Sequence, residues 1–328
     1  MKILYVDLQY DYGIKERGKN IIGEDGFKRS FTDLNHEVLS FYYDEYLNNT
    51  KQLQIELIKR ADTAKPDLIT FCLFQEQFDI DTLDYLKSKY ITVNWFGDDQ
   101  WRFDNFTSKF ANHFTYCVTT DKFSIPKYKE LGQQNIIYSQ WAAVNSHKVT
   151  KNIKYEYDVT FVGGYHPYRA WFVKSLHRRG IKIEAFGNGW PNGPLSSEEM
   201  NLMFTKSKIN LNIGNSNSYD IRYLLSYLKA IPLLFRSKKN ASQIKARNFE
   251  IPYFNGFQLT DYAPTIEKYF DLGKEIICYK DIDEAELLIK YYLENKEERE
   301  IIKNKAHKKA INEHGYINRL KDVLEKIL

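Results

Sequence analysis

The chain has 328 residues, 43% of them hydrophobic and 27% charged, which suits two globular domains of roughly 150 residues each and excludes a disordered chain. A formal net charge of +4, with Lys and Arg dispersed, excludes the clustered basic face of a nucleic-acid-binding protein. Cys72, Cys117 and Cys278 are odd in number, lack a CxxC pair and lie in apolar runs, so a disulfide scaffold is excluded and a reduced, cytoplasmic setting is expected. The opening Met1–Asp7 is too short for a signal peptide, and no run of about 18 apolar residues spans a membrane.

In chain order, strand-like apolar runs alternate with helical patterns. Strands are expected at Lys2–Leu8, Val38–Tyr42, Asp67–Phe71, Ile91–Trp95, Tyr116–Thr119 and Ile136–Tyr138. Helical stretches fall at Gly26–Asn35, Lys51–Arg60, Asp81–Lys89 and Ser124–Leu131. The pattern lapses in the polar run Asn145–Asn152, which places a domain boundary at 148/149. A second series follows at Asp158–Val162, Ile181–Phe186, Ile209–Ile213, Gly256–Leu259 and Glu275–Cys278. Helices at Asp283–Leu293, Lys296–Glu313 and Tyr316–Leu328 close the chain as a tail of the second half. Such alternation is the pattern of parallel sheets covered on both faces, so the expected fold is α/β, with two Rossmann-like domains (1–148 and 149–328) facing a central cleft.

Several segments carry chemistry. Gly163-Gly164 ends a strand and precedes a helix with Arg169 in its first turns, an arrangement that lets backbone and guanidinium approach a phosphate; an unliganded tight turn has the same appearance. A second glycine-rich turn, Gly187-Asn-Gly189-Trp190, can hold a base or ribose or be an ordinary loop. Neither GxGxxG nor a P-loop is present. The segment Lys245-Ala-Arg247-Asn-Phe-Glu250 puts two cations and a carboxylate within six residues, suited to a diphosphate and to ribose hydroxyls; the same spacing is common on solvated helices. Asp98 and Asp99 follow a strand, where mutual repulsion raises one pKa toward that of a general base. They equally suit a helix cap beside a solvated neighbour, or a divalent metal. His113 and His314 stand isolated. Aromatics make up 16% of the chain, which fits stacking on sugars or bases and fits core filling as well. The apolar stretch Tyr219–Arg236, followed by Lys238-Lys239, is either a helix packed on its domain and ended or kinked at Pro232, or an element that binds the acceptor or makes a peripheral membrane contact.

The stretch from Gln243 to Tyr316 resembles the C-terminal region of the spore-maturation-protein-like glycosyltransferases of the group 1 GT-B superfamily. The residues that carry the resemblance are Lys245–Pro252, Gly256–Thr260, Gly273–Ile276, Tyr291–Leu293, Glu297–Glu300 and Glu313–Tyr316. Upstream, Phe161–Gly164, Gly187–Trp190, Ser207–Asn212, Trp95–Asp99 and Thr119–Asp121 extend it. The resemblance implies a GT-B fold in which the first domain takes the acceptor and the second a nucleotide-sugar. It places Glu250 where relatives hold the donor ribose; with the residue readings above, the expected donor contacts are Gly163, Gly164, Arg169, Gly187, Asn212, Lys245, Arg247 and Glu250, and the expected catalytic carboxylate is Asp98 or Asp99. No metal and no cofactor are expected. A partner glutamate, eight positions before Glu250 in such relatives, is Ser242 here, which leaves inversion or retention open. The expected reaction moves a hexosyl or related sugar to an acceptor hydroxyl on a carbohydrate, lipid-linked glycan or protein. The competing reading is a nucleotide- or sugar-binding protein on the same scaffold without turnover.

Overall fold

The computed structural model describes residues 1–144, 154–216, 218–239 and 241–328. The expected boundary at 148/149 and the polar run beginning at Asn145 lie outside the described residues. Two compact units form, one from Met1–Ser146 with Tyr316–Leu328 and the other from His147–Gly315.

The first unit holds β1 (Lys2–Asp7), β2 (Glu37–Tyr42), β3 (Leu68–Phe71), β4 (Ile91–Phe96), β5 (Tyr116–Thr119) and β6 (Ile136–Tyr138). They form one parallel sheet in the order β2-β1-β3-β4-β5-β6. The second unit holds β7 (Tyr157–Val162), β8 (Ile183–Phe186), β9 (Ser207–Asn212), β10 (Gln258–Asp261) and β11 (Ile277–Tyr279), all parallel in the order β8-β7-β9-β10-β11. Each sheet therefore reverses its winding once, between β1 and β3 in the first unit and between β7 and β9 in the second. In such sheets the chain leaves the two reversing strands in opposite directions and opens a crevice at their carboxyl ends. Two doubly wound α/β units, as expected, are what the chain builds.

Residue alternation along the strands feeds both faces of the first sheet. Leu4 and Val6 pack with Ile69, Phe71 and Phe96 on one face, while Ile3 and Tyr5 pack with Leu68, Val93 and Trp95 on the other. The second face is closed by the last helix, Tyr316–Ile327. Its buried residues Tyr316, Leu320, Val323, Leu324 and Ile327 recur at helical spacing and belong to the same cluster as Trp95 and Val118. The Tyr316 backbone N–H donates to Ala143 O (3.1 Å), and its ring lies where a Cβ on Gly26 would sit 3.0 Å away, so Gly26 leaves the room the ring needs. The sequence grouped this helix with the second half. The structure packs it on the first sheet, because its apolar stripe matches a face that Phe27, Phe31 and Trp95 would otherwise leave uncovered. Asp281 caps the helix Ile282–Glu294 of the second unit, accepting from the N–H groups of Asp283 (3.0 Å) and Glu284 (2.9 Å).

Leu320→Ala should cost roughly 2–5 kcal/mol by opening a cavity in the first unit. Calorimetry should show only that unit's transition moving down; an equal shift of both transitions would refute the placement of the helix.

Candidate functional site

The reversal between β7 and β9 gathers most of the residues singled out in the second half. After β7 the chain passes through Gly163 and Gly164 into the helix Pro167–Arg178, whose N-cap is His166. The Gly163 N–H donates to Phe186 O (2.9 Å), and the Trp190 indole donates to Gly163 O (2.9 Å), which locks the turn after β7 onto the turn after β8. Gly187 has φ +132°, and a Cβ there would lie 2.3 Å from Gly163 O, so this contact between the two turns needs glycine. Arg169 spans the reversal. Its Nη1 donates to Gly164 O (3.0 Å) and its Nε to Ile213 O (2.9 Å), tying the end of β7 to the end of β9.

Beyond β9 lies Asp261, the last residue of β10. Its carboxylate accepts from the Gly214 N–H (3.1 Å) and feels Arg169, yet burial pushes its pKa up to about 6. The sequence placed this strand at Gly256–Leu259, two residues early, and so left Asp261 unnoticed. Asn212 is buried at the end of β9, where its amide and that of Asn248 each donate to Thr260 Oγ1 (3.2 Å). The Asn248 Oδ1 in turn accepts from the Lys245 N–H (2.9 Å), which fixes the start of the helix Arg247–Tyr253 against β9 and β10.

On that helix, Glu250 is buried and accepts from Arg247 Nη1 at 2.7 Å. The Arg247 guanidinium also lies 5.2 Å from the Phe204 ring centre. The two side chains form an ion pair in which the arginine orients the carboxylate. That is a different employment for Arg247 from the phosphate contact expected of it.

A cavity of about 680 Å³ opens at the carboxyl ends of β9, β10 and β11, within the range of small-molecule sites. Tyr168, Gly214, Asp220, Ser242, Asp261 and Lys280 are among its lining residues. None of the eight residues expected to hold the donor lines it, although it abuts Arg169 and Asn212 through Tyr168 and Ile213. Ser242, standing where relatives carry a glutamate, does line it. Asp220 accepts from Arg222 (2.6 Å), which holds its carboxyl below the usual range, and Arg222 also reaches Asp283 (2.8 Å). The apolar stretch beyond is two short helices, Ile221–Ser226 and Ala230–Arg236. The break falls at Tyr227–Lys229, ahead of Pro232, because Pro232 sits in the first turn of the second helix, where no N–H is required.

In the first unit, Asp98 and Asp99 follow β4. Asp99 is only 3% exposed and accepts from Thr107 (2.6 Å), Tyr128 (2.7 Å) and Thr119, while burial raises its pKa to about 6. Three hydroxyls occupy its oxygens, so its role in this structure is to hold the start of its helix to β5. Asp98 occupies the N-cap position of the helix Asp99–Arg102 without a side-chain cap bond and is partly exposed. His113 pairs with Asp84 (2.7 Å), and His314 is buried against Phe249, Tyr269 and Phe270 with Nε2 2.9 Å from Tyr269 O. The sequence missed Asp7. It ends β1 at the reversal of the first sheet, is 4% exposed, and accepts from Tyr5 Oη, the Leu8 N–H (2.7 Å) and the Asn20 amide (3.2 Å). Burial lifts its pKa to about 7. Among the described residues, no three His, Cys, Asp or Glu side chains group around a point where a metal ion would sit, and no helix is long and apolar enough to cross a membrane.

Residues 169–325 match the sequence profile of the family described as glycosyl transferase-like. No curated protein matches the sequence. Solved structures share the fold at low identity. Sucrose-phosphate synthase from Thermosynechococcus elongatus superposes with a TM-score of 0.65 at 6% identity, covering 100% of this chain and 99% of its own. Anabaena HepE, solved with UDP and glucose, gives 0.58 at 12% identity and covers 100% of both chains. TarM, known from S. aureus, gives 0.56 at 9% identity over 79% of this chain, which spans 54% of TarM's length. The class is thereby defined: this is a chain of the GT-B fold. The sequence similarity to glycosyl transferase-like proteins begins at Arg169 in the second unit and runs on into the last helix.

Asp7 retains its proton in the folded chain to about pH 7, whereas its ordinary value is 3.8, so its stabilising contribution is complete below about pH 4 and is lost as pH rises to about 7. Asp7→Asn, neutral throughout, should gain on wild type by up to roughly 4 kcal/mol over that interval. Denaturant midpoints of both proteins across the range check this, and parallel profiles would refute it.

Proposed function

We propose that the chain transfers a sugar from a nucleotide-sugar to an acceptor hydroxyl. The observation that carries this reading is the buried Glu250 carboxylate, held by Arg247 on a helix anchored to β9 and β10, within a unit of glycosyl transferase-like sequence. A buried carboxylate with one oriented edge suits the two hydroxyls of a ribose, and the cavity at the carboxyl ends of β9, β10 and β11, whose lining includes Ser242 but not Glu250, is large enough for a nucleoside diphosphate and its sugar. Lys245 is the residue proposed for the diphosphate. Arg169, already engaged with two backbone carbonyls, supplies fixed positive charge at the reversal. In the reaction the acceptor oxygen forms a bond to the anomeric carbon, the bond from that carbon to the diphosphate breaks, and the nucleoside diphosphate leaves with charge that nearby cations stabilise. The acceptor proton goes to a carboxylate. Asp98, partly exposed after β4, is the first unit's leading candidate, because Asp99 and Asp7 are each buried and held by three donors.

The solved relatives bound to UDP support a uridine donor, and the motif series around Lys245–Pro252 supports placement in the spore-maturation-protein-like branch, with a hexosyl or related sugar. Carbohydrate, lipid-linked and protein acceptors all fit this reading, which needs no metal. A second reading, nucleotide-sugar binding without turnover, draws on one observation: Ser242 lines the cavity where a second carboxylate would contact the sugar. Consumption of a nucleotide-sugar with any acceptor would eliminate it.

Titration of nucleoside diphosphates against their 2′,3′-dideoxy counterparts tests the role of Glu250. Wild type should prefer the ribose form by about tenfold to a hundredfold, and Glu250→Ala should bind both forms equally. A preference that survives the substitution would overturn the assignment.

A further inference from the structure

We propose that the segment from Ile221 to Lys239 docks the second unit on an anionic lipid surface. The segment is anchored on one side and exposes another. On the inner side Tyr223, in the first helix, is buried with its ring 5.3 Å from Tyr168 and 5.7 Å from Trp171, Tyr227 stacks on Tyr223, and Ala230 at the start of the second helix is buried as well. Arg222 clamps the start of the segment through Asp220 and Asp283. Ile221, which also borders the cavity, and Leu225 on the first helix and Leu228 in the break after it are 68%, 70% and 64% exposed. The second helix adds Ile231 and Leu233, and Phe235 is 86% exposed. An element whose only task was to pack would turn these side chains inward and polar ones outward. Here the anchoring is complete, and an apolar surface still remains on the outside.

The charge of the segment selects the occupant. Between Ile221 and Lys239 there is no Asp or Glu, and the cations Lys229, Arg236, Lys238 and Lys239 accompany the exposed apolar side chains. Apolar tips with basic flanks and no acid fit the headgroup boundary of an anionic bilayer, where leucine and phenylalanine bury and lysine and arginine reach phosphates. The helices, at six and seven residues, are too short to span, so the contact lies in the plane of the surface. A second copy of this chain would bring like charge against like charge at the same patch. Nothing in this inference depends on what the cavity binds.

Co-sedimentation of the full chain with phosphatidylcholine vesicles, with and without phosphatidylglycerol, tests the proposal. Binding should appear with phosphatidylglycerol only and weaken at high salt. The double substitution Leu225→Ser with Phe235→Ser should abolish it, with the thermal unfolding midpoint kept to show that the variant folds. Lys238→Gln and Lys239→Gln should each weaken binding about fivefold. Absence of wild-type binding to phosphatidylglycerol vesicles, or binding unchanged in the serine variant, would overturn the proposal. So would a wild-type dimer by light scattering that the serine variant dissociates while neither protein binds vesicles.

Discussion

The second unit depends on one guanidinium placed where its sheet changes direction. The crevice between β7 and β9 exists because the chain leaves these two strands on opposite sides, and nothing in the parallel ladder holds the departing loops together. Arg169 does so by donating to Gly164 O on one side and to Ile213 O on the other. Both acceptors are backbone carbonyls just past strand ends, the bond to Gly164 O exposed and that to Ile213 O part-buried. The same charge moderates the cost of keeping Asp261 buried, and Asp261 in turn fixes Gly214. The turn after β7, the end of β9 and the end of β10 are thus one hydrogen-bonded unit, and the cavity opens beside it.

Carboxylates at strand ends recur in both units with different consequences. Asp99 is saturated by three hydroxyls and acts as a rivet between its helix and β5. Asp261 has a backbone donor and a nearby guanidinium and lines the cavity. Asp7 has a phenol, a backbone N–H and an amide, with no cation in its first contacts, and it is the one whose pKa rises furthest toward neutrality. Burial raises the pKa of all three, and what separates them is access: Asp261 lines the cavity, whereas Asp7 and Asp99 are enclosed by three donors each. Solvation and partners, more than position along the strand, separate these roles.

The strand series and the two-unit division were legible in the sequence because continuous apolar runs report burial on both faces, and burial was what the sheets required. What escaped it depends on partners far away in the chain. Asp7 was visible inside its strand, but its enclosure by Tyr5, Leu8 and Asn20 was not. The last helix announced its apolar stripe, yet nothing in its own residues says which sheet lacks a cover. Arg247 and Glu250 were picked out as site residues. Their spacing of three, which pairs them across one helical turn, assigned the arginine to the carboxylate. The helix Ser197–Lys206 was signalled by the capping box of Ser196 and Glu199 and was still passed over, a signal present but unused.

The outward apolar segment and the cavity share their foundations. Tyr168 lines the cavity and carries Tyr223 on its ring, and Asp220 and Arg222 line the cavity while Arg222 grips Asp283. Ile221, Leu225 and Leu228 are therefore presented from residues that also border the cavity. Residues 218–222 are thus a structural part of the cavity wall, Ile221 included, while the exposed Leu225, Leu228 and Phe235 are not among its lining residues.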